Sequence, residues 1–127
     1  MADPFEIYFA DYAAAYNAFD ADAVASFFHC PCMFANREAI VVLSSRATIH
    51  ANMRGLLDYH RRKNFECASV LRLRAEQQAS GLAIVHVRWS VADKSGAALW
   101  EWSNSYNLCD LGDGWKIHVS TTHEAAV

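Results

Sequence analysis

The sequence predicts an α+β fold, in which three N-terminal helices cover a curved antiparallel sheet. Three observations predict it. Apolar residues in the first half recur at spacings of three and four, the period of a helix face. The second half is a succession of long runs rich in β-branched and aromatic residues. Those runs are divided by "ASG", "KSG" and "LGDG", which are turn signals. Helices segregated from an antiparallel sheet define the α+β class, with the helical layer lying on one sheet face.

The first helix is "DPFEIYFADYAAAYNAFD". Asp3 is a good N-cap, Pro4 suits the first helical position, and Glu6 stands where a capping box wants it. Phe5, Phe9, Tyr12, Tyr16 and Phe19 share its apolar face. "DADAVASFFH" makes a short second helix with its own acidic caps, which Pro31 is expected to end. Two short strands follow within "CMFANREAIVVLS". The third helix, "SSRATIHANMRGLLDYHRRKN", carries Ile49, Met53, Leu56, Leu57 and His60 on one stripe, with a basic end that suits the helix dipole. The strands are then "FECASVLRLRAEQQ", "LAIVHVRWSVAD", "AALWEWSNSYNLCD" and "GWKIHVSTTHE".

The chain has 127 residues, which suits one domain over 1–127 with a core that needs neither disulfide nor metal. Hydrophobic residues make up 54% and the formal charge is −3, which excludes a disordered chain and a nucleic-acid footprint. No apolar run has the length of a membrane span, and "MADPFEIYFAD" carries acids where a secretory signal carries Lys or Arg. The cytoplasm is the expected compartment, with Cys30, Cys32, Cys67 and Cys109 reduced.

The strands also say which face is inside. A two-residue loop between Asp93 and Gly96 sets Arg88 opposite Glu101 and Trp89 opposite Trp100. One face then carries Val85, Val87, Trp89, Val91, Trp100, Trp102, Asn104, Tyr106 and Leu108, joined by Trp115, Ile117 and Val119. The other carries His86, Arg88, Ser90, Glu101, Ser103 and Ser105. Asn104 is the odd residue of the apolar face. An unsatisfied amide there costs about 1–3 kcal/mol, so it is either a bonded core residue or a polar group facing a ligand cavity.

The stretch "FFHCPCMF" brings a histidine and two thiols together. Cys30 and Cys32 are one residue apart with no second close pair, which fails the zinc spacing, and C-x-C is not the redox C-x-x-C. The stretch therefore reads as an architectural joint and no metal is expected. The six histidines show no metalloprotease spacing. His60 lies on an apolar stripe, as a rim residue or a general base facing a cavity. His123 has the inward parity of Trp115 and falls at a strand end, at the cavity mouth. The tryptophans serve the core or a flat ligand.

The order of elements, with "DADAVASFF" opening the short helix and "YNLCDLGDGWKIHVSTTHE" closing the chain, resembles the nuclear transport factor 2-like superfamily. The similarity is to its SnoaL-like and ketosteroid-isomerase-like branches and covers nearly the whole chain. It implies a cone-shaped α+β barrel that dimerises through the outer sheet face. It places Tyr12 on the oxyanion-hole tyrosine of the isomerases and Asn36 on their catalytic-base aspartate. Their second oxyanion donor falls on Asn104, or on Ser105 one residue away, and parity favours Asn104. Asparagine cannot accept a proton near neutral pH, so steroid-isomerase chemistry by that route is not expected.

Two functions remain open on this reading. One is an apolar pocket for a small hydrophobic or aromatic molecule, with cofactor-free isomerase, dehydratase or cyclase chemistry. Tyr12 and Asn104 would then donate to oxygen, Asn36 would make a polar contact and His60 would serve as base, with Tyr16, Trp89, Trp102, Tyr106 and His123 lining the pocket. The other is a non-catalytic ligand-binding or association domain. The expected partners are the small ligand and a second copy of the chain.

Overall fold

The computed structural model describes residues 3–125 and residue 127. Among them run α1 (Pro4–Asn17), α2 (Ala21–Ala25), β1 (Phe28–Ala35), β2 (Ile40–Leu43), α3 (Arg46–Arg62), β3 (Cys67–Ala79), β4 (Leu82–Ala92), β5 (Ala98–Asp110) and β6 (Trp115–His123). The six strands form one sheet in the order β2-β1-β6-β5-β4-β3. Every pairing is antiparallel except that of β1 with β6. The predicted α+β class and the three helices are therefore present, with one parallel junction that joins the early strands to the late ones.

Each helix begins where its cap chemistry dictates. The Asp3 carboxylate accepts from the Phe5 N–H at 2.8 Å and Asp20 accepts from the Ala23 N–H at 3.0 Å. The capping box belongs to α3, where Ser45 and Thr48 satisfy each other's backbone. α1 buries Phe5, Phe9, Tyr12 and Tyr16 against the sheet. Its end is pinned by Asn17, whose side chain both accepts from the Ala68 N–H and donates to the Ala68 carbonyl. That bond pair continues the ladder of β3 sideways into the helix layer. α3 buries Ile49, Met53 and Leu57.

Pro31 does not end the second helix. α2 stops at Ala25 and Pro31 lies inside β1, after a cis Cys30–Pro31 peptide. Strand pairing takes the chain away from the helix earlier. The Phe27 carbonyl accepts from the Ile117 N–H at 2.8 Å and from the Tyr8 hydroxyl at 2.7 Å. Pro31 occupies an irregular stretch between the Phe28–Ile117 and Met33–Val119 pairs, where a missing N–H disturbs little. Cys32 and Cys109 are buried, and burial lifts the Cys32 thiol to about 11, so these are packing residues and poor nucleophiles.

The β4–β5 hairpin differs from the sequence reading by two residues, for two separable reasons. Its loop closes between Asp93 and Ala97, around a positive φ at Gly96, which adds one residue. A bulge then shifts the ladder between Val91–Trp100 and Ala92–Ala98, which adds a second. Arg88 stands opposite Ser103 and Trp89 opposite Trp102. Two shifts of one residue cancel in parity, so the predicted faces survive. The Arg88–Glu101 contact also survives as a diagonal one, at 3.3 Å.

In β6 the parity does not survive. Leu108 pairs with Ile117 but Asn107 pairs with Val119, so β6 carries one extra residue. Val119, expected inside, takes the outward parity, and Ser120 and Thr122 turn inward opposite Tyr106 and Asn104. His123, expected at the cavity mouth, goes with the outer face. Its Nε2 meets Ser105 Oγ at 2.8 Å, and Ser105 Oγ meets His86 Nδ1 at 2.7 Å. A bulge in β3 between Val70 and Arg72 likewise leaves Leu71 exposed.

The turn between β3 and β4 makes a sharp demand on one residue. Gly81 has φ 77°, and a Cβ there would lie 2.7 Å from the Asp110 carbonyl oxygen. Gly81→Ala is expected to destabilise the protein by about 1–3 kcal/mol. Gly55 sits in the interior of α3 with open space around it, and Gly55→Ala is expected to stabilise by about 0.5–1 kcal/mol. Urea unfolding followed by tryptophan fluorescence measures both, and shifts of the same sign would contradict the pair of expectations.

Candidate ligand-binding site

The apolar face of β4 and β5 bends under α1 and α3 and leaves a cavity of about 440 Å³. That is within the range of ~300–1,000 Å³ common for small-molecule sites. Tyr12 and Tyr16 reach it from α1, and Leu56 and His60 from α3. Trp89, Trp100, Trp102 and Tyr106 form its floor, and Ser120 and Thr122 of β6 border it. Phe34 of β1 contributes to the wall and Glu124, after β6, to the mouth. Among the described residues neither Lys nor Arg lines it.

The aromatic walls brace one another. Trp89 and Trp102 stack across the β4–β5 ladder with ring centroids 6.4 Å apart and planes at 23°. The Trp89 indole N–H donates to the Tyr106 hydroxyl at 3.0 Å. His60 stacks on Phe65 at 5.3 Å and 16°. Such pairs fix ring orientation beyond what area burial provides.

The polar groups divide into the committed and the free. Tyr16 holds His60 Nδ1 through its hydroxyl at 2.5 Å. Burial raises the Tyr16 pKa and lowers that of His60, so the phenol keeps its proton and the imidazole is neutral at pH 7. Either partner of this bond can be the donor: Tyr16 donating leaves the His60 proton on Nε2, and Nδ1–H donating leaves Nε2 with a lone pair. Asn104 is fully engaged: its Oδ1 accepts from the Trp102 indole at 2.5 Å, and its Nδ2 donates to Ser120 Oγ at 3.0 Å and Thr122 Oγ1 at 3.1 Å. Tyr12 is different. Its pKa is raised by burial alone, and its hydroxyl lines the cavity with no hydrogen-bond partner among the described residues.

The structure thus brings together Tyr12, Tyr16, His60, Trp89, Trp102, Asn104 and Tyr106 of the expected set, and leaves out two. His123 is on the outer face, as described above. Asn36 lies exposed in the β1–β2 turn, where its Oδ1 accepts from the Glu38 and Ala39 N–H groups at 2.8 and 2.9 Å. Asparagine captures nearby backbone in this way when a strand ends. Phe34, two residues earlier, takes the inward position. Ser120 and Thr122 escaped the sequence reading. The signal for them was Asn104 itself, because an amide on an apolar face requires polar neighbours on the adjoining strand. Among the described residues no group of three or more His, Cys, Asp or Glu is placed to hold a metal, and no helix is long and apolar enough to cross a membrane.

The fold is that of a nuclear transport factor 2-like protein. The family described as NTF2-like protein (DUF6841) matches residues 2–125, and the chain belongs to it. No curated protein sequence matches the chain. Among solved structures it is similar to Aln2 from a Streptomyces species, at 14% identity and a TM-score of 0.74, covering 98% of this chain and 93% of that one. It is also similar to a putative calcium/calmodulin dependent protein kinase II association domain from Xanthomonas campestris, at 13% identity and a TM-score of 0.71, covering 98% and 89%. An NTF2-like protein with a cystatin-like fold from Novosphingobium aromaticivorans matches at 16% identity and a TM-score of 0.71, covering 90% and 75%. At these identities the likeness is one of fold.

Burial lowers the His60 pKa from its ordinary 6.5, so the folded state resists taking up that proton. The stability this contributes is complete above about pH 6.5 and is lost as pH falls from there through the folded-state value. His60→Gln is expected to flatten the acid side of the stability profile, and to leave its slope above pH 7 unchanged. Thermal unfolding between pH 5 and 8 tests this. An unchanged acid limb would place the titration elsewhere.

Proposed function

We propose that the protein binds a small hydrophobic or aromatic molecule in the cavity between α1, α3 and the sheet. The observation that carries this reading is the Tyr12 hydroxyl, presented without a described protein partner inside an aromatic-walled space. No buried side-chain oxygen or nitrogen among the described residues lacks a partner, so solvent reaches this hydroxyl through the cavity, and a ligand that meets it exchanges a bond to water for one to protein, worth about 0.5–1.5 kcal/mol. The likeness to the SnoaL-like branch suggests isomerase, dehydratase or cyclase chemistry on such a molecule. The site supports binding ahead of that. His60 is engaged at Nδ1 by the Tyr16 hydroxyl, which leaves it only Nε2 for a ligand. Asn36 is in an exposed turn. The four free thiols fit a reducing, cytoplasmic setting.

Leu56 lines the cavity from α3, half-buried. Leu56→Trp is expected to fill the space and abolish thermal stabilisation by aromatic compounds, while leaving the far-UV dichroism unchanged. A panel of aromatic and polyketide-like compounds, scored by the shift in melting temperature, supplies the test. If no compound raises the melting temperature of the unmodified protein, the binding reading fails.

A second reading, of self-association, is favoured by the outer sheet face. There Arg88 pairs with Glu101, and His86, Ser105 and His123 form a bonded row. We propose that this face meets a second copy of the chain, as side chains of both signs on one face suit a self-complementary, isologous contact. Sedimentation at micromolar concentration is expected to give twice the mass of 14.2 kDa, reduced to the monomer by Arg88→Glu. A monomeric mass for the unmodified protein would remove this reading.

A further inference from the structure

We infer that Ser120 and Thr122 are the specificity-determining hydroxyls of the cavity, set by Asn104 to donate to a ligand oxygen, and that the ligand is a neutral aromatic carbonyl compound. The inference rests on the cavity-binding reading and adds the polarity of the ligand to it.

Trp102 sets the direction of the bonds. An indole N–H only donates, so the Asn104 atom it meets at 2.5 Å is the carbonyl Oδ1. That leaves Nδ2 as the atom facing Ser120 Oγ and Thr122 Oγ1, at 3.0 and 3.1 Å. An amide nitrogen has two hydrogens and no lone pair to offer. Both hydrogens are used, one on each hydroxyl oxygen. Each hydroxyl therefore accepts from Asn104 and keeps its own proton for another partner. Among the described residues neither hydroxyl donates to a side chain or to the backbone. Both residues line the cavity, Ser120 buried at 5% exposure and Thr122 exposed at the rim. These two protons join those of the Tyr12 hydroxyl, the Tyr106 hydroxyl, which accepts from Trp89, and the Trp100 indole as donors in the lining.

A ligand atom that meets hydroxyl donors is an acceptor, which selects oxygen over an alkyl group. The charge of the lining then narrows the class. Among the described residues no Lys or Arg lines the cavity and Glu124 stands at its mouth, so a carboxylate would be desolvated with nothing to balance it. A ketone, aldehyde or ester on a flat apolar body satisfies both conditions. Asn104 acts here as a positioning residue, through the hydroxyls it orients.

Replacing Asn104 by aspartate tests the direction of these bonds at constant shape. A carboxylate only accepts, so in Asn104→Asp the two hydroxyls must turn to donate to it and present lone pairs to the cavity. The probes are acetylnaphthalene, ethylnaphthalene, naphthoate and naphthylmethylamine, with affinities measured by calorimetry. The unmodified protein is expected to prefer the ketone to ethylnaphthalene by about 5- to 20-fold, the worth of one or two hydrogen bonds. In Asn104→Asp and in Ser120→Ala/Thr122→Val that preference is expected to fall to near unity. The double variant supplies an uncharged second arm should a buried aspartate prevent folding, with far-UV dichroism and the melting temperature checking that it folds. A ketone preference retained in the double variant overturns the inference, as does tighter binding of naphthoate or the amine. Equal affinity of the unmodified protein for ketone and hydrocarbon overturns it while leaving the cavity reading intact. No binding of any probe overturns both.

Discussion

A single amide on the apolar face of a sheet constrains most of what surrounds the cavity. Asn104 lies between Trp102 and Tyr106 on the inward side of β5, and it is 6% exposed. Its oxygen and both its hydrogens have to be met within the protein, because water is excluded and an orphaned amide is costly. Trp102 meets the oxygen from the same strand, two residues away, which holds the indole edge-on to the amide. The hydrogens need two acceptors on the adjoining strand. Those exist only because β6 carries one extra residue after Ile117, which turns Ser120 and Thr122 inward. The bulge, the serine, the threonine and the tryptophan orientation are thus one solution to one requirement.

The same bulge has a consequence on the opposite side of the sheet. By turning Ser120 and Thr122 inward it sends His123 outward, where it meets Ser105 and, through it, His86. The Ala125 N–H donates to His123 Nδ1 and the Ser103 hydroxyl donates to the Ala125 carbonyl. The segment after β6 is therefore anchored on the outer face while Glu124, within it, borders the cavity mouth. Inner and outer faces are coupled through a register set by backbone geometry, because moving one residue along a strand exchanges the two faces.

This explains what was legible in the sequence and what was not. Helix starts were legible because caps act over three or four residues, as Asp3, Asp20 and Ser45 show. The faces of β4 and β5 were legible although the register was wrong by two, since two single-residue irregularities leave parity unchanged. The facing of His123 was not legible, since one irregularity reverses it and nothing in "KIHVSTTH" marks where it falls. Asn36 was lost for another reason. Alternation holds only while the strand lasts, and β1 ends at Ala35. Pro31 misled because proline is a strong helix breaker, whereas here the helix had already yielded to pairing of the Phe27 carbonyl with β6. In each case the competing interaction was long-range, from an element the local sequence does not contain.

The chemistry left to the cavity follows from which groups those long-range bonds consume. Tyr16 and His60 engage each other: burial keeps both neutral, and their bond occupies imidazole Nδ1. Trp89 donates to Tyr106 and Trp102 to Asn104, so neither indole has an N–H left for a ligand. What remains is a set of donors on Tyr12, Tyr106, Trp100, Ser120 and Thr122 and a wall of aromatic carbon. Donors of this kind stabilise oxygen, whether a ground-state carbonyl or a developing enolate. Moving a proton from carbon requires in addition a group that takes it. The lining side chains that could do so are His60, bonded to Tyr16 at Nδ1, Glu101, paired with Arg88, and Glu124. The donors meet the first requirement, and which of these side chains a bound molecule reaches decides the second.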